Sequence, residues 1–145
     1  MIPYLDASAL VKRYVQEPGS EEVSRLIARA RVVGTSAITR VEVIAALARA
    51  ARIRVLPAAE ATAALTAFQG EWESLVRVGL TEVLLGRAAQ VAWERGLRGY
   101  DAVHLASALF WQELLGESVT LVTYDRELWE AAGHAGLGVF PPEKP

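Results

Sequence analysis

The chain has no cysteine, no asparagine, only two lysines (Lys12 and Lys144) and no methionine beyond Met1. Without cysteine, disulfides, thiolate chemistry and structural zinc fingers are excluded together. No apolar run approaches the ~20 residues of a membrane span, and no basic segment with an apolar core opens the chain. A cytoplasmic protein with no membrane association is therefore expected. The depletion of thermolabile residues suits a thermophile, and a GC-rich genome leaves the same Ala, Arg and Gly bias. Aspartate is scarce as well, occurring only as Asp6, Asp101 and Asp125.

What is present describes a compact globular chain. At 145 residues, 52% hydrophobic and 22% charged, residues 1–145 predict one domain. A chain of that length buries about 68–70% of its unfolded surface. Residues 141–145, Pro-Pro-Glu-Lys-Pro, read as a loose tail. The net charge of −2 does not advertise a nucleic-acid binder. Setting aside Asp6, Glu42, Asp101 and Asp125 leaves +2, a weakly basic frame around an acidic pocket.

Strand and helix signals alternate. Ile2 to Leu5 reads as a short buried strand running into Asp6, with a helix from Ala7 to Val15 stopped by Glu17-Pro18-Gly19. Ser20 suits an N-cap, and Arg31 to Ser36 a second strand. Thr39-Arg40-Val41-Glu42 matches a capping box opening the next helix. Pro57 starts a helix to about Val76, a strand follows at Arg77 to Leu80, and Thr81 caps a helix ending near Gly96. A helix from Tyr100 to Leu115 leads to the clearest strand, Val119 to Thr123. A helix from Asp125 to Ala132 and a strand from Leu137 to Phe140 complete the pattern.

Such alternation predicts an α/β fold with a mostly parallel sheet of about five short strands. In that architecture Asp6, Glu42 and Asp125 open helices after strands, and Asp101 opens the helix that runs back into a strand. All four carboxylates then fall along the carboxyl edge of the sheet, where open α/β sheets bind ligands. An oxygen-only set of this kind suits Mg²⁺ or Mn²⁺ and not zinc. Those ions activate water and neutralise charge on an attacked phosphate. Each acid also has a plainer reading as a helix cap or first-turn residue, Glu42 above all, because Thr39 already accounts for it. Composition and topology leave both readings open.

Tyr4-Leu5-Asp6-Ala7-Ser8-Ala9-Leu10-Val11, Thr39-Arg40-Val41-Glu42, Tyr100-Asp101-Ala102-Val103-His104-Leu105-Ala106-Ser107-Ala108 and Leu121-Val122-Thr123-Tyr124-Asp125-Arg126-Glu127-Leu128, taken together, resemble the PIN-domain ribonucleases. Within that family the chain looks most like the VapC-type toxins of toxin–antitoxin pairs. The resemblance spans nearly the whole chain in order and approximate spacing. It implies a three-layer α/β/α PIN-like domain and a Mg²⁺- or Mn²⁺-dependent endoribonuclease. The implied acidic quartet is Asp6, Glu42, Asp101 and Asp125, with Asp6, Asp101 and Asp125 toward the metal and Ser8 and Thr123 in support. A cognate antitoxin, an RNA substrate and a homodimer are implied too. The family's further group after the last aspartate has no clear counterpart, since Glu127 lies two residues along a helix and points elsewhere.

Other residues carry weaker signals. His104 lies one turn after Asp101, yet a lone histidine among Ala102, Val103, Leu105 and Ala106 reads more simply as a hydrogen-bonded, partly buried side chain. Arg40 and Arg49 are candidates for RNA phosphates or antitoxin carboxylates, against a default of solvated arginines. Trp72, Trp93, Trp111 and Trp129 read as core or interface anchors. The main rival for the whole chain is a catalytically silent PIN-like module that binds RNA or protein. The cost of keeping four mutually repelling carboxylates together argues against it.

Overall fold

The computed structural model describes residues 1–145. Five short strands form its sheet: β1 (Ile2–Leu5), β2 (Gly34–Ser36), β3 (Val76–Val78), β4 (Val119–Val122) and β5 (Gly138–Phe140). They lie in the order β3-β2-β1-β4-β5, and every pairing is parallel. Seven helices connect and cover them: α1 (Ala7–Leu10), α2 (Ser20–Arg29), α3 (Thr39–Arg52), α4 (Ala58–Glu71), α5 (Glu82–Arg95), α6 (Gly99–Leu115) and α7 (Arg126–His134).

Strand alternation divides the core into two layers. Tyr4, Leu121 and Val78 face a cluster completed by Leu84, Leu105, Trp111 and Leu128 of α5, α6 and α7. Their neighbours Leu5 and Val122 face the opposite cluster, with Leu10, Val23, Val43, Leu47 and Phe68 of α1 to α4. The result is the three-layer α/β/α sandwich, its sheet parallel throughout where a mostly parallel one is expected. The strand order moves outward from β1 to β3, then returns to β4 on the other side. β1 and β4 are therefore the neighbours at which the connections change direction, and the chain leaving each ends in an aspartate.

Several local expectations give way to tertiary contacts. The first helix stops at Leu10 and continues as a 3-10 turn over Val11–Arg13. Ser20 does not cap α2. Its hydroxyl donates to the Val15 carbonyl and accepts from the Glu17 N–H, closing the preceding loop. α4 ends at Glu71, and Val76, placed at the end of that helix by the sequence pattern, begins β3. The Thr39–Glu42 capping box does not form. Ile38 is the N-cap of α3, the Thr35 hydroxyl donates to Thr39 Oγ1 at 2.8 Å, and the Glu42 carboxylate is engaged elsewhere. Thr81 caps α5 as expected, and Gly96 and Gly116 close α5 and α6 in left-handed backbone. The terminal segment is fastened: Trp129 Nε1 donates to the Pro141 carbonyl, and Lys144 pairs with Glu130.

Candidate active site

Asp6 is the N-cap of α1 and is almost fully buried at the end of β1. Its Oδ1 accepts from the Ala9 N–H at 3.0 Å and the Ser8 hydroxyl at 2.7 Å, and its Oδ2 accepts from the Thr123 hydroxyl at 2.6 Å. Thr123 Oγ1 also accepts from the Asp125 N–H at 3.1 Å, and Ser8 Oγ from the Tyr124 N–H at 3.0 Å. Two hydroxyls thus lace the ends of β1 and β4 together around one carboxylate. Burial pushes the Asp6 pKa above its usual value, partly offset by His104 and by these hydrogen bonds.

Asp125 caps α7, its Oδ1 accepting from the Leu128 N–H at 2.9 Å. Asp101 occupies the first turn of α6 and is 4% exposed. Arg98, the residue immediately before α6, joins the two. Its Nε donates to Asp101 Oδ2 at 2.9 Å and its Nη2 to Asp125 Oδ2 at 2.6 Å. Burial raises the Asp101 pKa, Arg98 pulls it back, and the negative charges of Asp125 and Asp6 add to the rise.

Glu42, on the first turn of α3, accepts at Oε1 from His104 Nε2 at 2.7 Å. His104 is buried on α6, and its Nδ1 lies 2.9 Å from the Tyr4 hydroxyl of β1. The carboxyl edge of the sheet therefore carries three aspartates and a glutamate, contributed by four separate helix starts.

The sequence matches the model of the PIN domain over residues 4–134. This chain belongs to the PIN-domain family. It is 37% identical to the protein named ribonuclease VapC45 of Mycobacterium tuberculosis over 141 residues, covering 97% of this chain and 95% of that protein. Among solved structures, PAE2754 from Pyrobaculum aerophilum superposes with a TM-score of 0.66 at 27% identity, over 96% of this chain and 89% of that one. A toxin–antitoxin complex from Klebsiella pneumoniae shares the fold, with a TM-score of 0.65 at 17% identity over 99% of each chain.

Divalent ions are implied for a PIN domain, and the donor set can be judged from the residues themselves. Asp6, Asp101 and Asp125 offer only carboxylate oxygens, the ligands of hard cations. Asp101 is forced to share its edge with like charges, and the single counter-charge within reach is one guanidinium. That chemistry fits Mg²⁺ or Mn²⁺. The side chains do not form a closed cage, since no three His, Asp or Glu groups already surround one point. Arg98 donates to Oδ2 of Asp101 and Oδ2 of Asp125, carboxylate oxygens that would otherwise be free to bind a cation.

The remaining candidates separate. Arg40 and Arg49 are both exposed on α3. Nine residues apart, they lie on opposite sides of the helix and about 13 Å apart along it, so the PIN fold does not bring them together. Glu127 points into a groove with Glu94, Arg95, Glu130 and His134, which none of the four edge carboxylates lines. Trp72 and Trp111 are core residues, whereas Trp93 is 90% exposed and anchors nothing within the chain. Arg98 is absent from the sequence-based candidates, although its spacing of three before Asp101 at a helix start is a readable signal. His104 is hydrogen-bonded as expected, but fully buried and bound to a residue of the site.

Proposed function

We propose that this PIN domain is a divalent-metal-dependent endoribonuclease, the VapC-type toxin of a toxin–antitoxin pair. Asp6, Asp101 and Asp125 hold the ion, and Ser8 and Thr123 keep Asp6 in place. The observation that carries the reading is the carboxylate edge at the direction change between β1 and β4. There, the buried Asp6 is kept by three hydrogen bonds, and the neighbouring Asp101 bears the repulsion of both Asp125 and Asp6. The naming of VapC45 as a ribonuclease supports the same activity. A silent binding module has no use for that repulsion.

The ion, Mg²⁺ or Mn²⁺, supplies Lewis acidity and charge neutralisation at the phosphate. Glu42, a quarter exposed at this edge, orients the attacking water and takes its proton. Water adds to phosphorus in line as the bond to the 3′-oxygen breaks, leaving 5′-phosphate and 3′-hydroxyl ends. Residues 1–145 act as one domain in the cytoplasm, as a homodimer. The antitoxin is received by the apolar groove that Ile44, Leu47, Ala51, Ala61 and Leu65 form between α3 and α4. Arg40 and Arg49 contact RNA or the antitoxin from separate faces of α3.

The test is cleavage of mixed cellular RNA by purified protein freed of any partner, with Mg²⁺, Mn²⁺ or EDTA, beside Asp6→Ala and Asp101→Asn. Cleavage that needs the ion and disappears in both folded variants is expected. Folded, ion-binding protein that cuts no RNA, or Asp6→Ala cutting at the wild-type rate, would sink the proposal.

A further inference from the structure

His104 is 1% exposed and sits where three acid-bearing elements meet. It lies one turn along α6 from Asp101, its Nε2 is 2.7 Å from Glu42 Oε1 at the start of α3, and its Nδ1 is 2.9 Å from the Tyr4 hydroxyl, two residues before Asp6 on β1. The Tyr4 and His104 rings meet edge to face, 5.9 Å between centroids. A carboxylate only accepts hydrogen bonds, so Nε2 carries the proton and donates to Glu42. That leaves Nδ1 as an acceptor, so the fully buried Tyr4 hydroxyl donates to it. One imidazole is thereby satisfied at both nitrogens, with its ring fixed by packing. Ser107 Oγ faces the same phenol but falls short of bonding geometry, and it is the one buried side-chain polar atom without a partner.

We propose that His104, steadied by Tyr4, is the positioning residue for Glu42, fixing its Oε1 so that Oε2 is presented to the attacking water. This rests on the ribonuclease reading above. A glutamate at the lip of a site has several rotamers, and freezing one costs conformational entropy. A buried donor that holds one oxygen removes that cost before substrate arrives. The arrangement also explains why Glu42 is not used as a capping-box residue: its carboxylate is turned away from the backbone of its own helix.

Two carboxamides separate positioning from packing. The amide nitrogen of His104→Gln reaches the place of Nε2 and can still donate to Glu42, whereas His104→Asn replaces only the Nδ1 side that meets Tyr4. Both lose the ring. With RNA and saturating Mn²⁺, His104→Asn is expected to lower kcat about 10- to 100-fold with little change in KM, while His104→Gln keeps most of the rate. In a Glu42→Gln background, His104→Asn should cost nothing more. A readout independent of turnover is the ¹⁵N spectrum of the chain's two histidines, in which Glu42→Gln should shift the protonated Nε2 of His104 and leave His134 unmoved.

Equal rate losses in His104→Asn and His104→Gln that track their melting temperatures would reduce His104 to a packing residue and overturn the proposal. So would losses that multiply in the Glu42→Gln background, or an Nε2 resonance blind to Glu42. An active wild type indifferent to His104→Asn defeats this inference alone. A wild type that cuts nothing defeats the ribonuclease reading on which it stands.

Discussion

Asp101 and Asp125 are held to one another through a single guanidinium, with Arg98 donating to Oδ2 of each at 2.9 and 2.6 Å. Those two oxygens belong to the groups proposed to bind the ion, so guanidinium and metal compete for them. Arg98→Ala is expected to tighten Mn²⁺ binding about three- to tenfold, the modest range reflecting a half-exposed side chain screened by solvent. The same variant should melt lower in EDTA, because the two aspartates then repel without a counter-charge. Isothermal titration with Mn²⁺ at low salt decides it, and an affinity equal to or weaker than wild type would show that Arg98 does not compete.

Asp6 makes a prediction about pH in the metal-free protein. Its folded-state pKa is raised chiefly by burial. Between the unfolded value of 3.8 and the raised folded value, the native state binds more protons than the unfolded one. Stability therefore falls as pH rises through that window, and the penalty persists at neutral pH. In EDTA at pH 7, Asp6→Asn should melt a few degrees above wild type and lose this part of the pH dependence. Saturating Mg²⁺ or Mn²⁺ should reverse the order, because only the aspartate gains from the ion. Thermal melts of both proteins with and without metal check the crossing.

The sequence makes Asp6 and Asp125 legible because each stands between a β-branched or apolar run and a helical pattern, a junction that places them at one sheet edge whatever the details. Glu42 is legible as an acid in a first turn, but its local pattern points to the wrong partner. Thr39 and Glu42 satisfy the capping-box spacing, yet Thr39 bonds Thr35 and Glu42 bonds a histidine 62 residues away. No local rule reports such a contact. The same holds for Tyr4 and His104, 100 residues apart. Trp93 and Trp111 look alike on amphipathic helices, and only the packing of α6 against β2 puts Trp111 in the core while Trp93 of α5 stands in solvent.

Trp111 bears on a strand as well as a helix. Its indole lies against Gly34 of β2, and a Cβ at that position would overlap the ring. The ring is buried and the strand is hydrogen-bonded on both sides, so neither moves freely. Gly34→Ala should destabilise by about 1–3 kcal/mol through overpacking. Urea unfolding followed by tryptophan fluorescence measures it, and a loss below about 0.5 kcal/mol would mean the indole finds another seat.

Thr123 gives the sharpest separation of folding from ion binding. Its buried hydroxyl donates to Asp6 Oδ2 at 2.6 Å and accepts from the Asp125 N–H at 3.1 Å, so one atom orders two of the proposed ligands. Thr123→Val keeps the shape and removes both bonds, leaving a buried carboxylate oxygen and a backbone N–H short of partners. The expected cost is about 1.5–3 kcal/mol, the range for hydrogen bonds to a charged group. Because the hydroxyl also orients Asp6, Mn²⁺ affinity should fall about 10- to 100-fold, as for other partners lying just outside a metal's ligands. Thr123→Ser restores the hydroxyl and should recover most of both. If Thr123→Val loses stability but binds Mn²⁺ like wild type, Thr123 braces the β1 and β4 ends without organising the ion. If it loses neither, Asp6 is held by Ser8 and the Ala9 N–H alone.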